Sequence, residues 1–119
     1  MADRNASLKI SFISVMEEWE RPISNEMKKE IYRMVQEAVH NAIKYSNGWH
    51  IDVSLQWHHQ HLSITIADNG EGIQAQRGEG YGMGNMRIRA LRINARLEIF
   101  KNNPRGTVVK VELPYSSLI

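Results

Sequence analysis

Six of the eight glycines in this chain fall inside one short stretch, DNGEGIQAQRGEGYGMG, from Asp68 to Gly84. The stretch follows an alternating apolar strand and leads into an amphipathic segment. Such a run is either a slack connection or a backbone that a ligand approaches closely. In both cases it separates strand from helix. The flanking pieces must then meet in a common core.

On either side of the glycines the apolar period switches between two and 3.6. SLKISFISV (Ser7–Val15) alternates Leu8, Ile10 and Phe12 with polar neighbours, a strand pattern. MEEWERPIS reads as a loop that turns at Pro22. Ser24 or Asn25 is a helix N-cap candidate, and a helix is expected from there to about Ser46. Its apolar stripe is Met27, Ile31, Met34, Val35, Ala38, Val39, Ala42 and Ile43, and Asn47-Gly48 stops it. HIDVSLQW and HLSITIAD then form a hairpin, the first strand alternating Ile51, Val53, Leu55 and Trp57, the second Leu62, Ile64 and Ile66. NMRIRALRIN predicts a short helix that Asn94 caps in a left-handed conformation. RLEIF is a strand, KNNPRG a turn, and TVVKVELP a closing strand with Thr107, Val109, Val111 and Leu113 on one face. This order predicts an α+β fold, a two-layer sandwich with helices on one face of one sheet.

Length and charge narrow the function classes. A chain of 119 residues points to one domain and buries roughly two-thirds of its unfolded surface. There is no Cys, which rules out disulfides and thiolate metal sites and fits a reducing compartment. No apolar run approaches the roughly 18 residues of a membrane span. The net charge of +2 is too small to imply nucleic acid. The C-terminal half is more basic, which suits a small polyanion bound locally.

Four groups of residues invite chemistry. Glu37 and Asn41 are four apart on the long helix and so share a face, with Lys44 and Tyr45 one turn further along the same side. They form either a solvated face or the polar edge of a cleft, where an amide oxygen suits magnesium and an ammonium suits phosphate. Asp68 continues the phase of Leu62, Ile64 and Ile66, so its carboxylate points toward the core side and needs a partner. An adenine amino group is one such partner, with Gly70 and Gly72 letting a purine approach; a plain Asp-Asn-Gly turn is the other reading. GYGMGNM, Gly80 to Met86, precedes a helix and can aim N–H groups at an anion. It has neither the dinucleotide-binding spacing nor a Gly-Lys-Ser/Thr. Gly106-Thr107 opens the last strand with a hydroxyl that can reach the same base. His58, His59 and His61 crowd the hairpin tip with no neighbouring carboxylate in sequence, a poor metal site. Arg87, Arg89 and Arg92 read as solvated charges, one near the helix start within reach of phosphate.

In order, QEAVHNAIKYS, DNGEGI, GYGMGNMRIRA and the Gly-Thr pair resemble the ATP-binding catalytic domain of two-component sensor histidine kinases. More broadly the chain is similar to the superfamily shared with gyrase, the ninety-kilodalton heat-shock chaperone and MutL, known as the Bergerat fold. The resemblance runs from about Ser7 to Pro114. The brief segment Ile73–Glu79 and NMRIRA are similar to the short-lid subfamily that partners NarL-like response regulators. It implies a mixed, mostly antiparallel sheet and an ATP cleft. Asn41 matches the magnesium asparagine, Lys44 the phosphate-contacting base and Tyr45 the aromatic near the nucleotide. Asp68 matches the adenine-binding aspartate with Gly70 and Gly72 beside it; Gly80, Gly82 and Gly84 match the lid and phosphate glycines, and Thr107 the threonine near the base. Met83 stands where Leu is common, and Asn94-Ala95 where Gly-Gly is usual. Glu37 holds the first polar position of the helix motif, a general base in ATP-hydrolysing relatives and a magnesium-site or positioning residue in kinases.

The same resemblance implies that residues 1–119 are a single catalytic domain, the C-terminal fragment of a longer cytoplasmic or membrane-anchored kinase. His40, His50, His58, His59 and His61 all lie inside the ATP domain or its hairpin. The phosphoacceptor His is therefore expected on a separate dimerisation domain, with a response regulator downstream. The domain itself is expected to touch neither nucleic acid nor membrane. Two other readings stay open: an anti-sigma-factor-like serine kinase of the same superfamily, and a non-catalytic nucleotide-binding module.

Overall fold

The computed structural model describes residues 8–46, 50–70 and 83–119, without the side chains of Tyr45, Ser46 and residues 83–85. Five strands form one sheet: β1 (Lys9–Val15), β2 (His50–Trp57), β3 (His61–Asp68), β4 (Arg96–Lys101) and β5 (Thr107–Pro114). Their spatial order is β1-β2-β3-β5-β4. β1 and β2 run parallel, and every other pair is antiparallel. Two helices, α1 (Asn25–Asn41) and α2 (Met83–Arg92), supply the second layer.

Local chemistry fixes the helix ends. Ser24 caps α1, its hydroxyl oxygen accepting from the Met27 N–H at 3.1 Å, as its position in the sequence predicts. Beyond Asn41 the helix continues to Ser46 as a π-helical turn over Ala42–Ser46. Bonds to the fifth residue enclose more chain per turn than an α-helix does. Lys44 thus lies on a wider turn than the unbroken α-helix that the sequence suggests. α2 ends in a Schellman arrangement. Asn94 takes φ 60°, its N–H donates to Leu91 O at 3.2 Å, and Ala95 N–H donates to Ala90 O at 2.8 Å. Asn tolerates the left-handed position that the resemblance assigns to glycine.

The core lies between the helices and one sheet face. Ile51, Val53, Leu62, Ile64, Ile66, Val109, Val111 and Leu113 line the sheet side. Met34, Ala38 and Ala42 descend from the long helix and its last turn, and Met86, Ala90 and Ile93 from α2 and its end. Pairing of Ile51 with Asp68 carries the alternation to the last residue of β3, so Asp68 ends on the core face. β1 is an edge strand, and its Ile10 and Phe12 are exposed although they share the phase of Ile51 and Val53. The Glu17–Trp19 segment, read as loop, is a 3-10 turn.

The C-terminal end closes the far side of the hairpin. Ser24 N–H donates to Leu118 O at 2.6 Å, and Leu118 is fully buried. The Tyr115 hydroxyl donates to the carbonyls of His58 and Trp19. The His58 and His61 rings stack with centroids 4.4 Å apart. A carboxylate does accompany these histidines: Glu112 of β5 lies 3.5 Å from His61 Nε2 and 3.6 Å from Lys110. It was invisible in sequence because it comes from the neighbouring strand. No cluster of three metal-ligating side chains occurs among the described residues.

Burial, the His61 ring and Lys110 lower the His58 pKa from its ordinary 6.5, against a smaller opposing effect of Glu112. A base with a depressed folded pKa contributes stability above its unfolded pKa and loses it as pH falls through the folded value. Unfolding free energy should thus fall on acidification below about pH 6.5. His58→Gln should lose less than wild type between about pH 7.5 and about pH 5.5, read by urea unfolding at both.

Candidate functional site

The end of β3 and the β4–β5 turn build one cluster. Asp68 is 4% exposed. Its Oδ1 accepts from the Gly70 N–H at 2.8 Å and from the Thr107 N–H at 3.3 Å. Its backbone carbonyl accepts from Asn102 Nδ2 at 2.8 Å. Gly70 is buried, and its carbonyl accepts from Arg105 Nε at 2.7 Å. On the other side, Asn69 exchanges bonds with the backbone of His50 at the start of β2: its N–H donates to His50 O, and its Oδ1 accepts from His50 N–H. Residues 68–70 are thereby held by β2 and by the turn 102–106 at once.

Gly106 makes the close approach possible. Its φ is +111°, and a Cβ there would stand 1.9 Å from Asp68 O. Only glycine fits both conditions. Thr107 is buried directly after it, with its N–H on the Asp68 carboxylate. A buried carboxylate oriented by two amides is suited to accept from an amino-group donor and to reject a second acceptor.

A second cluster lies between α1 and α2. Asn41 is 4% exposed, and its Nδ2 has no hydrogen-bond partner among the described residues. Glu37, one turn earlier, has an enclosed Oε2 that is equally unpartnered. Arg89 reaches across from α2, with Nη1 3.5 Å from Glu30 Oε1 and Nε 3.9 Å from Glu37 Oε2. The second distance is an ion pair without a hydrogen bond. Arg89 is therefore half-buried between two carboxylates, which corrects its reading as a solvated charge. A cavity of about 390 Å³ opens here, lined by Arg33, Gln36, Glu37, His40 and Arg89. Among the described residues Asp68, Thr107 and Asn41 do not line it.

The structure thus joins Asp68, Gly70 and Thr107 by hydrogen bonds and places Glu37 and Asn41 one turn apart on α1. Lys44 is exposed on the widened turn. Tyr45 lies on that turn, and Met83 and Gly84 open α2, with side chains outside the described residues. Gly72, Gly80 and Gly82 also fall outside the described residues. Sequence reasoning missed Asn102 and Arg105. The polar turn KNNPRG was the available signal, but nothing in it says which strand end it faces.

The fold is that of histidine kinase catalytic domains. The blue-light activated histidine kinase of Erythrobacter litoralis superposes with a TM-score of 0.77 at 19% identity, covering 95% of this chain and 40% of that one. The ATP-binding domain of PrrB from Mycobacterium tuberculosis superposes with a TM-score of 0.71 at 17% identity, covering 91% and 80%. The family model described as histidine kinase-, DNA gyrase B-, and HSP90-like ATPase matches residues 26–117, and the chain belongs to that family. Among curated relatives, the oxygen sensor histidine kinase NreB of Staphylococcus carnosus is 36% identical over 93 residues. That match covers 76% of this chain and 27% of NreB. The sensor protein VraS of Staphylococcus haemolyticus is 34% identical over 90 residues, covering 74% and 26%. The chain thus spans about a quarter of the length of these relatives.

Gly106→Ala tests the close approach. The variant should lose at least about 2 kcal/mol of unfolding free energy, because the new methyl meets Asp68 O and φ is strained. Urea unfolding reads the loss; a change within about 0.5 kcal/mol would show that the turn yields without cost.

Proposed function

We propose that this chain is the ATP-binding catalytic domain of a sensor histidine kinase. It binds Mg-ATP and presents the γ-phosphoryl group to a His on a separate dimerisation domain of the same kinase. A response regulator then receives the phosphoryl group. The observation that carries the reading is the buried Asp68 carboxylate, with Oδ1 held by the Gly70 and Thr107 amides. It accepts the exocyclic amino group of adenine and meets the guanine oxygen with repulsion. The names of the relatives support a histidine acceptor over a protein serine or a non-catalytic role.

The Asn41 amide nitrogen and Glu37 Oε2, neither hydrogen-bonded among the described residues, fit a site for a magnesium ion with its phosphates. An amide whose nitrogen makes no hydrogen bond can turn to offer its oxygen, and magnesium on a nucleotide takes few protein ligands. Asn41, with Glu37 beside it, would hold the ion, which supplies charge neutralisation on the phosphates. Lys44 adds an ammonium to the same end. The resemblance assigns Tyr45 to the aromatic position near the nucleotide. The resemblance assigns Gly72, Gly80, Gly82, Met83 and Gly84 to nucleotide binding; Gly72, Gly80 and Gly82 lie outside the described residues. Phosphoryl transfer asks the protein mainly for position and charge, which these groups provide. No described helix is long and apolar enough to cross a membrane. The domain works in the cytoplasm, where ATP is made, whether or not the parent kinase is anchored.

Calorimetric titration with magnesium present tests this. ATP should bind with a dissociation constant on the order of 10 μM to 1 mM, and GTP far more weakly. Asp68→Asn keeps an oxygen for the two amides but turns an NH₂ toward the base. It should abolish binding at millimolar ATP without moving the unfolding midpoint. Equal GTP binding, or unimpaired binding by the variant, would contradict the assignment.

A further inference from the structure

Arg105 fastens the segment that carries Asp68, and the nucleotide chemistry above makes no use of it. Its Nε donates to the Gly70 carbonyl at 2.7 Å, and the Gly70 N–H donates to Asp68 Oδ1 at 2.8 Å. Both polar groups of Gly70 are therefore committed, one to the guanidinium and one to the carboxylate. Glycine has the widest backbone freedom of any residue, so an untied Gly70 would let the carboxylate drift. A charged donor on a carbonyl makes one of the stronger hydrogen bonds available. Arg105 itself is exposed on the β4–β5 turn and belongs to no part of the apolar core. Among the described residues its hydrogen bond goes to the residue that aims Asp68.

We infer that Arg105 is a positioning residue for the purine base. By fixing Gly70 it sets the direction of the Asp68 carboxylate, and it makes no contact with the phosphates. The inference rests on the proposed reading of Asp68 as the adenine acceptor. Its consequence is specific: the energetic effect of Arg105 follows the base and ignores the phosphates. A lysine can deliver one donor to the same carbonyl, but without the fixed guanidinium plane.

The test is calorimetric titration of adenosine, ADP and ATP into the wild-type chain, Arg105→Ala and Arg105→Lys, with urea unfolding of all three proteins. Arg105→Ala should weaken the three ligands by the same factor, about 5- to 30-fold, with a smaller loss of unfolding free energy than of binding free energy. Arg105→Lys should recover part of the loss. A loss that grows with the number of phosphates would show a direct phosphate contact and overturn the inference. Unchanged affinity in Arg105→Ala would overturn it too, as would a loss accompanied by an equal fall in stability. Wild-type binding with an unaffected Arg105→Ala sinks the inference alone. A wild-type chain that binds none of the three ligands sinks the adenine reading and the inference with it.

Discussion

Placing a carboxylate on the buried face of a sheet is unfavourable unless the fold supplies donors for it. Asp68 meets that condition with backbone amides from two places far apart in sequence, Gly70 and Thr107. The rest of the β3 end follows. Gly106 must be glycine so that the turn can lie against Asp68 O. Asn102 must reach that same carbonyl, and Arg105 must hold Gly70. Asn69 ties the segment to β2. The strand order β2-β3-β5 makes this convergence possible, because β3 has β2 on one side and the strand that follows the turn on the other.

The helix end obeys a different constraint. Here charges face each other without closing into hydrogen bonds, Glu37 and Arg89 at 3.9 Å and Asn41 with an unpartnered amide nitrogen. Buried polar atoms left in this way cost stability, and they persist where a site needs them. The proposed base-binding cluster has its carboxylate hydrogen-bonded, and the proposed phosphate cluster keeps polar atoms without a hydrogen bond among the described residues. That contrast fits a ligand whose rigid ring needs a preset acceptor and whose charged tail arrives with its own cation.

Much of the fold was legible because it rests on period. Alternation in β2, β3 and β5 placed Ile51, Leu62, Ile64, Val109 and Val111 on one face and carried Asp68 there with them. Ser24 and Asn94 were readable as caps, since their side chains and backbone preferences act within a few residues. What failed to show was whatever depends on contact across the sheet. Arg105 meets Gly70 across 35 positions, and Glu112 meets His61 across a strand pair. Arg89 looked solvated because its partners, Glu30 and Glu37, are on another helix. The π-helical turn at Ala42–Ser46, which carries Lys44, leaves no mark in apolar spacing.

The central claim is that the Asp68 carboxylate recognises the amino group of adenine. Adenosine and purine riboside differ by that group alone, so their calorimetric comparison on the wild-type chain isolates it. The account predicts purine riboside binding about 10- to 100-fold weaker than adenosine. Equal affinity would contradict it.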